Sequence, residues 1–167
     1  MEFGIVLVLF LGFLALLTAA QWIVIVKQSQ CVVIETLGKY SRVCGAGFNT
    51  KIPYIESVAG TVNMRVQQLD VTIETKTEDN VFVHVVVAVQ YFVLPERVYE
   101  AYYRLDNPES QINSYVFDVV RARVPKLKLD ELFDKKDDIA DAVKTELSED
   151  MEQFGYGIIK SLVTDID

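Results

Sequence analysis

The sequence predicts an α+β domain carried behind an apolar N-terminal segment. Three observations lead there. Residues 3–26 contain no charged side chain. Residues 31–94 are rich in β-branched side chains and alternate apolar with polar positions, the period of strands. Residues 95–154 repeat apolar positions at helical spacing, and residues 158–163 return to a strand pattern. With 167 residues, 51% of them apolar, the chain has the length of about one globular domain and enough material to bury a core.

The first element is FGIVLVLFLGFLALLTAAQWIVIV, Phe3 to Val26. As a helix these residues would cover roughly 36 Å at about 1.5 Å per residue, enough to cross a hydrocarbon core of about 30 Å with some tilt. Inside a bilayer no water reaches the backbone, so an unbroken helix satisfies its polar groups best, and no proline interrupts this one. Trp22 suits the membrane–water interface and Lys27 follows as a charged stop. Residues 1–28 are therefore expected to be a transmembrane anchor. A cleaved signal peptide ending at Thr18-Ala19-Ala20 is a rival reading, but Glu2 stands where a positive n-region belongs. A hairpin dipping into one leaflet is another, and only Gly12 is available for its bend. Lys27, Lys39 and Arg42 follow the span and no basic residue precedes it. The positive-inside rule then predicts a single-pass protein with its N-terminus outside and its domain in the cytoplasm. Cys31 and Cys44 are compatible with a reducing compartment.

Residues 29–167 are expected to form the domain, β-rich to about residue 94 and helical beyond. Residues 31–37 (CVVIETL) read as a strand. Gly38, Gly45 and Gly47 mark a turn-rich loop that runs to Pro53. Residues 56–62 hold short apolar pieces around Gly60. In residues 66–74, Leu69, Val71 and Ile73 share one face and Asp70, Thr72 and Glu74 the other, a half-buried strand. Thr77 to Asn80 is a turn, and residues 81–94 are the most β-prone run. The expectation is an antiparallel or mixed meander of four to six strands.

Pro95 suits the first turn of a short helix whose face carries Val98, Tyr102 and Leu105. Asn107-Pro108 begins a second, with Asn107 as N-cap and a stripe of Ile112, Tyr115, Val116 and Val119, ended by Val124-Pro125. A third runs from about Lys135 to Phe154, with Ile139, Val143, Leu147 and Met151 spaced by four and Gly155 as its stop. Three helices and a final strand at residues 158–163 complete the layout.

The net charge of −8 argues against a nucleic-acid partner. Residues 130–152 hold ten acids against three lysines, so one helix carries most of the acidity. Arg121, Arg123, Lys126 and Lys128 form a small basic patch at the end of the second helix. It either complements the helix end or meets anionic lipid or the acidic helix of an adjacent subunit, where Asp137 and Asp141 stand. One histidine and two cysteines leave no multi-ligand metal site and no histidine-based nucleophile arrangement, so no catalytic, metal or cofactor residues are expected. Gly45-Ala46-Gly47 lacks the third glycine and the Lys-Ser/Thr of a phosphate loop.

The middle of the chain resembles the SPFH, or band 7, superfamily of stomatins, prohibitins and flotillins, and most closely its hypersensitive-induced-response and bacterial stomatin-like branches. The carrying blocks are RVQQLDV (Arg65 to Val71), ETKT with DNVFV (Glu74 to Val83), Gln90-Tyr91, QINSYVFDVVRA (Gln111 to Ala122), VPKL (Val124 to Leu127) and LDELF (Leu129 to Phe133). The resemblance covers about residues 30–167. It implies a non-enzymatic membrane scaffold without cofactors, which oligomerises with itself or a paralogue, encloses a membrane microdomain and regulates membrane proteases, channels or other membrane-protein clients. It places the β-rich part against the lipid bilayer and the helical part against neighbouring subunits; Pro53, Tyr54 and Ile55 are the candidate membrane contacts by their apolar character.

The sequence departs from the plant branch in having Met1-Glu2 where an acylated glycine would stand. Cys31 is either an S-acylation site or a buried thiol. The family continues into a coiled coil that closes the ring, and the chain is expected to stop short of it, at Asp167. The alternative reading is a monomeric membrane-tethered module that binds lipid or a ligand. Exposed apolar side chains around residues 53–55 would favour lipid, and an internal cavity would favour a ligand.

Overall fold

The computed structural model describes Gly12 and residues 20–167. The greater part of the expected transmembrane segment, Phe3 included, lies outside the described residues. The chain divides after Asn63 into two units.

The first unit is built from five strands: β1 (Ile23–Val26), β2 (Gln30–Thr36), β3 (Lys39–Cys44), β4 (Gly47–Thr50) and β5 (Glu56–Asn63). β1 and β4 form an antiparallel ribbon in which Ile23 faces Thr50 and Val26 faces Gly47. β2 sits between β3 and β5, antiparallel to both. Val26, Val32, Ile34 and Cys44 form a buried cluster with Val24 against it.

Here the structure corrects two expectations. A membrane helix cannot extend to Val26, because Ile23–Val26 is a strand and Val26 belongs to the core. The four residues IVIV are apolar and β-branched, so they suit either state, and the partner strand β4 decides. The loop expected from Gly38 to Pro53 contains β3 and β4. Its glycines punctuate short strands, with Gly38 and Gly47 supplying positive φ at the turns.

The second unit, Met64–Asp167, holds a three-stranded antiparallel sheet. Its order is β6 (Gln67–Lys76), β7 (Phe82–Val93), β8 (Tyr156–Ile166). The alternation of β6 is realised: Val71 and Ile73 are buried while Asp70, Thr72 and Glu74 are exposed. Between β7 and β8 run four helices: α1 (Val98–Tyr103), α2 (Pro108–Arg123), α3 (Leu129–Asp134) and α4 (Lys136–Glu152). Asn107 caps α2 by accepting the Ser110 N–H at 3.0 Å. Ile112, Val116 and Val119 are buried as expected, and so are Ile139, Val143, Leu147 and Met151 of α4. α4 packs on β8 and against α2.

α3 adds a fourth helix to the three expected: Leu132 is its one buried residue, so no repeated apolar position marks it in the sequence. The division of the chain also falls elsewhere than residue 94. β6 and β7 side with the helices because β8, more than sixty residues downstream, pairs along β7 from Val93↔Tyr156 to Val85↔Ile166. The result is an α+β fold, but with eight strands in three sheets among the described residues rather than one meander.

Candidate membrane-facing site

One end of the first unit gathers exposed apolar side chains, and backbone hydrogen bonds tie them together. Lys51 N–H donates to the Trp22 carbonyl at 2.8 Å, which places the entry of the chain beside the segment after β4. Leu37 N–H donates to the Ile55 carbonyl at 3.0 Å, joining the β2–β3 turn to the loop before β5. Leu37 and Tyr54 both adopt positive φ, 50° and 65°, and each is 81% exposed. A bulky side chain at positive φ is uncommon and costs about 1–3 kcal/mol of strain. Two such residues on adjoining loops, both thrown outward, mark this tip as a candidate site. Trp22, Ile52 and Ile55 are exposed beside them. Along the ribbon, Ile25 and its cross-strand partner Phe48 continue the apolar surface.

An ion pair with a buried carboxylate and a partly exposed guanidinium holds the loop that carries Tyr54. Both Glu56 carboxylate oxygens accept from the Arg42 guanidinium. Glu56 also accepts the Ile52 N–H at 2.8 Å, and Arg42 donates to the Thr50 carbonyl at 2.7 Å. Glu56 is only 7% exposed. The Arg42 hydrogen bond, aided by that from Ile52, holds its carboxyl below the usual carboxylate range.

The expected contact set is only partly suited to lipid. Tyr54 and Ile55 are exposed, but Pro53 is buried, packed inward where the loop turns. Trp22 stands at the tip, whereas Lys27 follows the far end of β1, roughly 16 Å away at about 3.3 Å per strand residue. Leu37, Ile52 and the Arg42–Glu56 pair were not anticipated. The available signal was Leu37-Gly38, a large apolar residue inside a tight turn where a polar one is usual. Cys31 is buried with its Sγ 4.0 Å from the Val62 carbonyl, and burial pushes its thiol pKa up. A protonated, enclosed thiol is a poor nucleophile and acyl acceptor.

In the second unit, the expected subunit-contact residues split. Arg123 pairs with Glu146 of its own chain at 3.1 Å, and Arg121 lies over the Phe117 ring at 4.8 Å. Lys126, Lys128, Asp137 and Asp141 are exposed. An open cleft of about 500 Å³ lies between the end of α2 and α4, with Arg123, Lys126 and Asp138 on its walls and Ile139 beneath. His84 stands on the exposed sheet face, 4.0 Å from Glu74. The hydroxyls of Ser114, Ser148 and Ser161 donate to backbone carbonyls. Among the described residues, no group of three or more His, Cys, Asp or Glu is placed to hold a metal ion. No helix among them is long and apolar enough to cross a membrane.

The described residues form an α+β fold with exposed apolar side chains gathered at one end of the first unit, and comparison with known proteins identifies its class. The model of the SPFH domain / Band 7 family matches residues 24–167, and the chain belongs to that family. It is 42% identical over 142 residues to Hypersensitive-induced response protein 4 of Arabidopsis thaliana, covering 84% of this chain and 49% of that protein. An uncharacterized protein of Methanocaldococcus jannaschii is 31% identical over 160 residues, 95% of this chain and 79% of the relative. Stomatin-like protein stl-1 of Caenorhabditis elegans is 26% identical over 115 residues, 67% of this chain and 34% of the relative. The chain thus spans about half the length of the plant relative. Members of the family are membrane-associated scaffolds, generally without catalytic activity.

Proposed function

We propose that this chain is a non-enzymatic subunit of an oligomeric membrane scaffold. It organises a patch of membrane and regulates membrane-protein partners such as proteases or channels. The observation that carries the reading is the run from an uncharged apolar segment into an exposed apolar tip at Trp22, Leu37, Ile52, Tyr54 and Ile55. With β1 removed from the span, residues 3–19 remain as the membrane anchor. As a helix they would cover roughly 26 Å, at the lower limit for a hydrocarbon core of about 30 Å. An anchor that short draws the domain against the surface, so the tip meets the interface. The topology in this reading is single-pass with the domain cytoplasmic, as the basic residues after the span favour.

Lateral contacts would join Lys126 and Lys128 of one copy to Asp137 and Asp141 of the next, a head-to-tail pairing that can close a ring. The test is the mass of the full chain in nanodiscs by light scattering, beside a chain extended with its native downstream sequence. A large uniform complex from either supports the scaffold. A monomer from both overturns it in favour of the monomeric lipid- or ligand-binding module.

A further inference from the structure

The membrane reading leaves open which lipids the tip meets, and the charges around it bear on that. Two cations flank the apolar side chains. Lys39 closes the four-residue turn that carries Leu37 and lies opposite Thr36 in the ladder. Lys51 precedes Ile52 and is bonded through its backbone to Trp22. Two carboxylates stand close in sequence. Glu56 is withdrawn: it is buried, and both oxygens are taken by Arg42 and Ile52. Glu35 is half-buried one strand residue inside the turn, opposite Tyr40. Arg42 spends its donors on Glu56 and Thr50. The tip therefore presents the exposed Lys39 and the half-buried Lys51 against the single half-buried carboxylate of Glu35, a net positive charge beside side chains suited to the acyl boundary. That combination of insertion and positive charge is what anionic headgroups select.

Resting on the proposed membrane reading, we infer that the tip of the first unit is a binding site for anionic phospholipid, with Lys39 and Lys51 as the headgroup contacts and Leu37 and Tyr54 inserted beneath them. The Arg42–Glu56 pair contributes by removing a carboxylate that would otherwise repel the headgroup. Lys27 lies at the other end of the ribbon and takes no part.

Trp22 is the only tryptophan and sits at the tip, so it reports on the site directly. The full chain is reconstituted into vesicles of phosphatidylcholine with 30% phosphatidylserine, and quenching of Trp22 is compared with either lipid brominated at equal mole fraction. The expected result is stronger quenching by brominated phosphatidylserine. Each of Lys39→Gln and Lys51→Gln should cut that preference by up to about fivefold, and Lys27→Gln should leave it unchanged. Equal quenching by the two lipids, or a preference that survives both lysine substitutions, overturns the anionic site while leaving the tip at the membrane. No quenching by either lipid overturns the membrane orientation itself, and the tip is then covered by the N-terminal segment or a second copy.

Discussion

Arg42 and Glu56, fourteen residues apart, close a two-pronged ion pair that fastens the loop bearing Tyr54 to β3, an edge strand of the three-stranded sheet in the first unit. Burial makes the pair consequential: the carboxylate is enclosed, and its third hydrogen bond comes from the loop backbone at Ile52. An exposed pair of the same residues would contribute little.

The Glu56 carboxyl is held below its ordinary range in the folded chain, which makes stability depend on pH. A depressed pKa contributes stability that is present above the unfolded value of 4.5 and lost as pH falls through the folded value. Urea unfolding between pH 7 and pH 3 should show this loss in the parent chain. Glu56→Gln should be less stable at pH 7 and flatter below pH 4.5. Chymotrypsin should cut more rapidly at Tyr54 in the variant, since its loop is no longer fastened.

The positive φ at Leu37 and Tyr54 predicts a conflict between stability and membrane contact. Leu37→Gly and Tyr54→Gly each relieve left-handed strain, offset by the entropy glycine adds to the unfolded chain. A net gain of roughly 0.5 kcal/mol per site is expected from thermal unfolding. Trp22 quenching by brominated lipid should fall in the same variants. Substitutions that lower stability would show that the entropy glycine adds outweighs the strain it relieves.

Reversing the exposed cations Lys126→Glu and Lys128→Glu should weaken self-association by roughly tenfold or more, read as a fall in mass by light scattering. Adding Asp137→Lys and Asp141→Lys to the same chain should restore it. Arg123→Glu breaks a pair within the chain and should cost about 0.5 kcal/mol of stability. Unchanged mass after the lysine reversals would remove these residues from the interface.

Gly155 ends α4 with φ at +83°, and a Cβ there would lie 2.4 Å from the Arg97 carbonyl oxygen. Backbone is the obstacle, so no rotamer change relieves it. Gly155→Ala should lose on the order of 3 kcal/mol by chemical denaturation, left-handed strain and clash together.

Much of the second unit was legible in the sequence. The stripe Ile139, Val143, Leu147, Met151 could be buried only by a helix, and Val71 with Ile73 only by a strand. Asn107-Pro108 announced a helix start that the Ser110 N–H bond realises. These signals are local: each lies within a few residues and needs no partner to be read. Ile23–Val26 is different, because four apolar β-branched residues after an apolar run fit a helix end or a strand equally. Pro53 likewise gave no sign that it would turn inward while Tyr54 turned out.

The sequence by itself determined the periodic elements, the α+β class and an uncharged apolar run over residues 3–26. The tertiary structure alone decided where that segment must stop, because β4 claims Ile23–Val26 as a strand. It alone placed β6 and β7 with the helices, through the pairing of β7 with β8. It also brought Trp22, Leu37, Ile52 and Tyr54 to one end and buried Glu56 against Arg42. The physical reason is the same each time. Periodicity is written along the chain, whereas a strand's identity and a tip's composition depend on hydrogen-bond partners that are distant in sequence.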